Sequence, residues 1–219
     1  GWPRETFSYI PNWLDAARIE SDFEPGGYFL YLGRLAREKG VETLVRAATA
    51  AGVRLAVAGD GPLMDGLRAL TEGGSGEVRL VGFQRGDPLH QLVRGARAVV
   101  VPSEWYENAP LSVLESFAAG KPVIGSRIGG IPELVDEGRT GWLFEPGDVD
   151  GLAAILRDVN RMPDASLAAM GREARARVER DFDRQGYVDA MLALYESIGV
   201  RGVQNLPPTA RSAAAVGRL

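Results

Sequence analysis

The chain has no cysteine and a single histidine. The first absence excludes disulfides, thiolate metal sites and cysteine nucleophiles, and it fits a reducing cytoplasm. The second, together with the lack of any G-x-S-x-G run, argues against a serine hydrolase. No apolar stretch approaches the ~20 residues of a membrane span, and no signal peptide is visible. Membrane association is therefore not indicated by this part. Nor is there a large excess of either charge: the formal net charge of −4 gives no reason to expect nucleic acid as the main partner. An initiating methionine is also missing. The chain begins Gly1-Trp2-Pro3, which reads as a piece of a longer protein.

What is present is an alternation. The 219 residues suit one domain with extensions. Short β-branched or aromatic runs predict strands at 27–32, 53–58, 78–81, 98–101, 123–125 and 142–144. Helix-period segments fall between them, at 41–51, 62–70, 88–95, 110–118 and 131–135. Three more follow the last strand, at 149–161, 164–180 and 185–198. Strands alternating with helices argue for right-handed βαβ units, hence an α/β, Rossmann-like parallel sheet with helices on both faces. Residues 1–26 read as a linker or the end of a preceding domain, 27–198 as the folded unit, and 199–219 as a disordered tail. Residues 72–76 form a glycine-rich turn.

In such a sheet, ligands sit beyond the carboxyl ends of the strands. The polar and glycine-rich stretches fall there, at 33–40, 59–61, 82–86, 103–109 and 129–130. The stretch at 102–122 is the most informative. It reads strand, loop, helix, strand, with Pro110 at the first helical position. Glu107 stands just ahead of that helix and Glu115 within it. A helix start is a natural phosphate seat, and carboxylates beside it suit hydroxyls on both sides of the phosphates. A nucleotide sugar has that shape. Arg34 and Lys39, in the loop after the first strand, would neutralise a diphosphate without a metal. Taken alone, each of the four charges reads as solvated surface.

Several spaced motifs change that reading. Gly33-Arg-Leu-Ala-Arg-Glu-Lys-Gly-Val-Glu-Thr-Leu44 resembles the C-terminal, donor-binding half of family 4 retaining glycosyltransferases of the GT-B fold. So do Ala58-Gly-Asp-Gly-Pro62, Val81-Gly-Phe83, Val101-Pro-Ser-Glu-Trp-Tyr-Glu-Asn-Ala-Pro110, Gly120-Lys-Pro-Val123 and Gly129-Gly-Ile-Pro-Glu133. The resemblance runs from about Tyr9 to about residue 197. It implies that Glu107 faces the donor sugar, that Glu115 binds the ribose, and that Arg34 and Lys39, beside Gly33, grip the diphosphate. It further implies that the backbone around Gly82, Phe83 and Gln84 holds the base, while N–H groups near Ala109 and Leu111 face sugar and phosphate. On this reading the catalytic residues are Glu107, Arg34 and Lys39. No metal and no cofactor is expected, and the donor is a nucleoside-diphosphate sugar.

Three departures stand out. Trp13 replaces a frequent glycine, Pro110 lacks an N–H, and the N-terminal acceptor domain is missing. Rival readings are a GT-B epimerase or phosphorylase, or a nucleotide-sugar-binding module without turnover. A dinucleotide fingerprint at Gly59-Asp60-Gly61 fails because Met64 stands at its third glycine. The pairs Asp148/Asp150 and Asp181/Asp183 read as helix caps rather than metal ligands. His90 is expected on a helix surface away from the strand ends. Trp105 and Tyr106 either wall the cleft or pack into the core.

Overall fold

A computed structural model describes residues 3, 6–72 and 77–200. Most of the expected glycine-rich turn and most of the expected tail lie outside the described residues. Among these described residues there are six strands: β1 (Tyr28–Leu32), β2 (Leu55–Ala58), β3 (Val78–Gly82), β4 (Ala96–Val101), β5 (Val123–Ser126) and β6 (Gly141–Phe144). They form one sheet in the order β3-β2-β1-β4-β5-β6, and every pairing is parallel. The described residues also hold eight α-helices: α1 (Val41–Ala51), α2 (Met64–Thr71), α3 (Asp87–Arg94), α4 (Leu111–Ala118), α5 (Ile131–Leu134), α6 (Val149–Arg161), α7 (Asp164–Asp181) and α8 (Arg184–Ser197).

The apolar runs of the strands follow from burial on both faces. Leu30, Ala56, Val99 and Val123 point to a core shared with α4, α5 and α7. Phe29, Leu55, Ala98, Val100 and Ile124 point to the opposite core, under α1 and α6. Arg97 is an exception within β4. Its guanidinium is buried and donates to the carbonyls of Val159 (2.9 Å) and Met162 (2.5 Å) and to Asp164 (2.9 Å). Those carbonyls lie at the negative end of α6, which favours a cation.

The expected caps are present: Asp148 and Asp183 each accept from the N–H three residues on, at 2.9 and 3.0 Å. Boundaries shift by a residue or two in most elements, and one shift bears on the site. Pro110 is the N-cap of α4, extended at φ −67 and ψ 116, rather than its first helical residue. Residues 14–26 lie against the sheet domain. Leu14 N–H donates to Phe182, Asp22 N–H to Ala119 and Gly26 N–H to Ala96. Lys121, only 1% exposed, closes this seam by donating to the Glu24 carbonyl at 2.7 Å. Burial pulls its ammonium pKa down, with Asp22 opposing.

Candidate functional site

The strand order reverses between β1 and β4, so the chain leaves their adjacent carboxyl ends toward opposite faces and opens a crevice. The β1–α1 loop carries Gly33, Arg34 and Lys39, and the β4–α4 loop carries Glu107. A run of backbone hydrogen bonds joins the rim. Gly33 N–H donates to Ala58, Gly59 N–H to Gly82, Leu35 N–H to Asp60, Glu104 N–H to Glu38 and Gly130 N–H to Glu107. Glycine is required where these loops touch. A Cβ on Gly59 would sit 1.8 Å from the Gly33 carbonyl oxygen, and one on Gly130 would sit 1.9 Å from that of Asn108.

Within the crevice, Lys39 Nζ lies 2.5 Å from Glu107 Oε1, and Ser103 Oγ donates to the same oxygen at 2.9 Å. The pair is well shielded, with side chains 31% and 19% exposed. Arg34 is ion-paired with Glu38 at the mouth. Tyr31 Oη donates to the Arg34 carbonyl at 2.7 Å and so holds that loop from beneath. Burial raises the phenol pKa, with the Glu107 and Glu38 carboxylates adding to it. Tyr31 therefore stays a neutral donor.

The crevice has two connected compartments. One, of about 370 Å³, is lined by Arg34, Lys39, Ser103, Glu107 and Leu111. The other, of about 420 Å³, is lined by Asp60, Phe83, Gln84, Leu89 and Glu115. Gly33, Arg34 and Ser112 border both. Two cations of the β1–α1 loop and two carboxylates, one from the β4–α4 loop and one from α4, thus open onto one cleft. Burial pushes the Glu115 carboxyl pKa up, while His90 pulls it down.

Gly82 and Ala109 do not line the cleft. The Gly82 carbonyl accepts from Gly59, and that of Ala109 faces Asn12 Nδ2 at 3.5 Å. His90 is exposed as expected, yet it is not remote: with Glu115 it borders a further pocket of about 470 Å³. Trp105 and Tyr106 are 68% and 76% exposed, so neither packs into the core. Tyr31 and Ser103 escaped the sequence reading. The hint for each was positional: a hydroxyl tip within an apolar strand, and a serine directly past a strand end. Among the described residues, no group of three or more His, Cys, Asp or Glu stands ready to hold a metal ion, and no helix is long and apolar enough to cross a membrane.

Comparison with known proteins gives this cleft a context. The glycogen synthase of Mycobacterium tuberculosis is 39% identical over 197 residues, covering 85% of this chain and 47% of that protein. A D-inositol 3-phosphate glycosyltransferase of Mycobacterium avium is 37% identical over 174 residues, covering 75% and 40% respectively. The chain thus spans about half the length of the curated relatives it matches. Among solved structures, sucrose-phosphate synthase of Thermosynechococcus elongatus superposes with a TM-score of 0.75 at 28% identity, over 88% of this chain and 53% of that one. Anabaena HepE in complex with UDP-glucose shares the fold at a TM-score of 0.75 and 22% identity, over 90% and 58%. The model of the family "Glycosyl transferases group 1" matches residues 16–177, a span holding the whole sheet and all four charged cleft residues, and the chain belongs to that family, of GT-B type.

Proposed function

We propose that this chain is the donor-binding half of a retaining, metal-independent family 4 glycosyltransferase, which moves a sugar from a nucleoside-diphosphate sugar to an acceptor bound largely by an N-terminal half. Residues 27–198 form the nucleotide-sugar domain on this reading, and the residues before them lead in from the other half. The observation that carries it is the convergence on one cleft of Lys39 and Arg34 with Glu107 and Glu115, in a member of this family.

The roles are those the family resemblance implies, and the placement of each group supports them. Lys39, in the shielded part of the cleft, and Arg34, more exposed at its mouth, stabilise the charge that grows on the leaving diphosphate. Their present partners, Glu38 and Glu107, are anions that phosphate oxygens would exchange with. Glu107, beside Leu111 at the start of α4, accepts hydrogen bonds from the sugar. Glu115 accepts them from the ribose, and the backbone near Phe83 and Gln84 faces the base. In the transfer, the bond from anomeric carbon to diphosphate oxygen breaks. The acceptor oxygen bonds to that carbon on the same face, and its proton passes to the departing phosphate. The UDP-glucose in the HepE complex supports this donor class.

Calorimetric and thermal-shift titration of the purified chain with uridine, guanosine and adenosine diphosphates and their sugars tests the reading. One diphosphate should bind, Lys39→Ala should weaken it at least tenfold, and the chain alone should transfer no sugar. Lack of binding across the panel, or unaltered affinity in the variant, would overturn the assignment.

A further inference from the structure

Lys39 and Glu107 belong to different βα units, yet they meet at hydrogen-bond distance. Apolar packing does not hold the second loop there: Trp105 and Tyr106, which lead into Glu107, are among the most exposed large side chains described. From the β5–α5 side, Gly130 N–H holds the Glu107 carbonyl at 2.7 Å; three polar or close contacts tie the stretch before it to the first unit. Thr43, buried in the first turn of α1, donates its hydroxyl to Glu104 Oε1 at 2.5 Å. Glu104 N–H donates to the Glu38 carbonyl at 2.9 Å. Gly40 packs so tightly on Pro102 that a Cβ would stand 1.9 Å from its carbonyl oxygen. Residues 38, 40 and 43 of one unit therefore grip residues 102 and 104 of the other, with Lys39 inside the first set and Glu107 three residues beyond the second. Glu104 is the acid of this loop whose hydrogen bond leads away from the cleft, and among the described residues no ion pair involves it. A hydroxyl bonded to a charged oxygen gives directional restraint, where a second cation would compete with the cleft for Glu107.

We infer that Thr43 and Glu104 form a clasp that sets the spacing between Lys39 and Glu107, and so act as positioning residues for diphosphate binding. The consequence for the ligand rests on the reading given above; the clasp itself does not. An ångström of displacement at such a pair is costly to a bound reactant, so loss of one remote hydroxyl should be felt in the cleft.

The test uses Thr43→Val, which keeps shape and branching but removes the donor, and Thr43→Ser, which restores it. In the full chain, a double-mutant cycle of Lys39→Met and Glu107→Gln, followed by urea unfolding, reports the coupling of the pair without any ligand. The coupling should fall by at least half in the Thr43→Val background and return with Thr43→Ser. With uridine diphosphate and inorganic pyrophosphate as probes, Thr43→Val should bind fivefold to twentyfold more weakly, with Thr43→Ser close to the parent. Full coupling in Thr43→Val, or equal loss in Val and Ser, would overturn the clasp. If neither probe binds the parent chain, the donor reading is weakened, and the cycle still decides the clasp.

Discussion

At the scale of single residues, Glu115 is the most informative group, because its chemistry and its placement pull in opposite directions. Burial raises its carboxyl pKa above the ordinary 4.5, and only His90 opposes that. The ribose seat proposed for it nonetheless needs the carboxylate. Nucleoside diphosphate affinity should therefore decline on acidification as the pH falls through the raised value, earlier than for a solvated glutamate. Glu115→Ala should weaken binding at neutral pH by roughly 1–3 kcal/mol, from lost charge-assisted hydrogen bonds, and should flatten that pH dependence; calorimetry from pH 5 to 8 reads both. The stability linkage has the opposite sign. A carboxyl with a raised folded pKa stabilises the fold below its unfolded pKa, and this contribution is lost as pH rises through the folded value. Glu115→Gln should gain on the parent in urea unfolding between pH 4 and pH 7.

At the scale of elements, the determining contacts lie between loops. Two glycines separate backbone strain from loop contact. Gly40 and Gly52 share the left-handed conformation, at φ 64 and 65. A Cβ on Gly52 meets nothing, whereas one on Gly40 strikes the Pro102 carbonyl. Gly52→Ala should cost about 1–2 kcal/mol, the strain of a side chain at positive φ. Gly40→Ala should cost that and more, because the β1–α1 and β4–α4 loops must part. Its excess over Gly52→Ala in chemical denaturation measures the loop contact. The variant should also bind nucleotide more weakly, whereas Gly52→Ala should not.

At the scale of the molecule, the two cores are coupled through the sheet, and Arg97 ties its centre to the α6–α7 junction. Three hydrogen bonds converge on that buried guanidinium. Arg97→Ala leaves two carbonyls without their donor and should cost roughly 2–4 kcal/mol, visible as a lower urea midpoint. Arg97 lies far along β4 from its carboxyl end, so nucleotide affinity of the folded fraction should be unchanged.

Much of this organisation is local information. The β-branched runs and the helix periods placed the strands and most helices within a residue or two, because burial on both faces leaves a parallel strand no polar alternation to hide behind. The glycines past several strand ends marked the rim for a different reason: close backbone approach at Gly59, Gly61 and Gly130 tolerates no Cβ. The pairing of Lys39 with Glu107, the Thr43–Glu104 bond, Tyr31 beneath Arg34, and His90 beside Glu115 were not legible. Each joins residues whose relation is set by strand order and loop path, and no spacing in the chain encodes it. Arg97 makes the point within one strand: a charge in an apolar run reads as a strand end until α6 folds back and offers its carbonyls. Residue types and their periods, then, were determined by the sequence alone. Which charges face one another was decided only by the tertiary structure, since electrostatics depends on distance through space rather than along the chain.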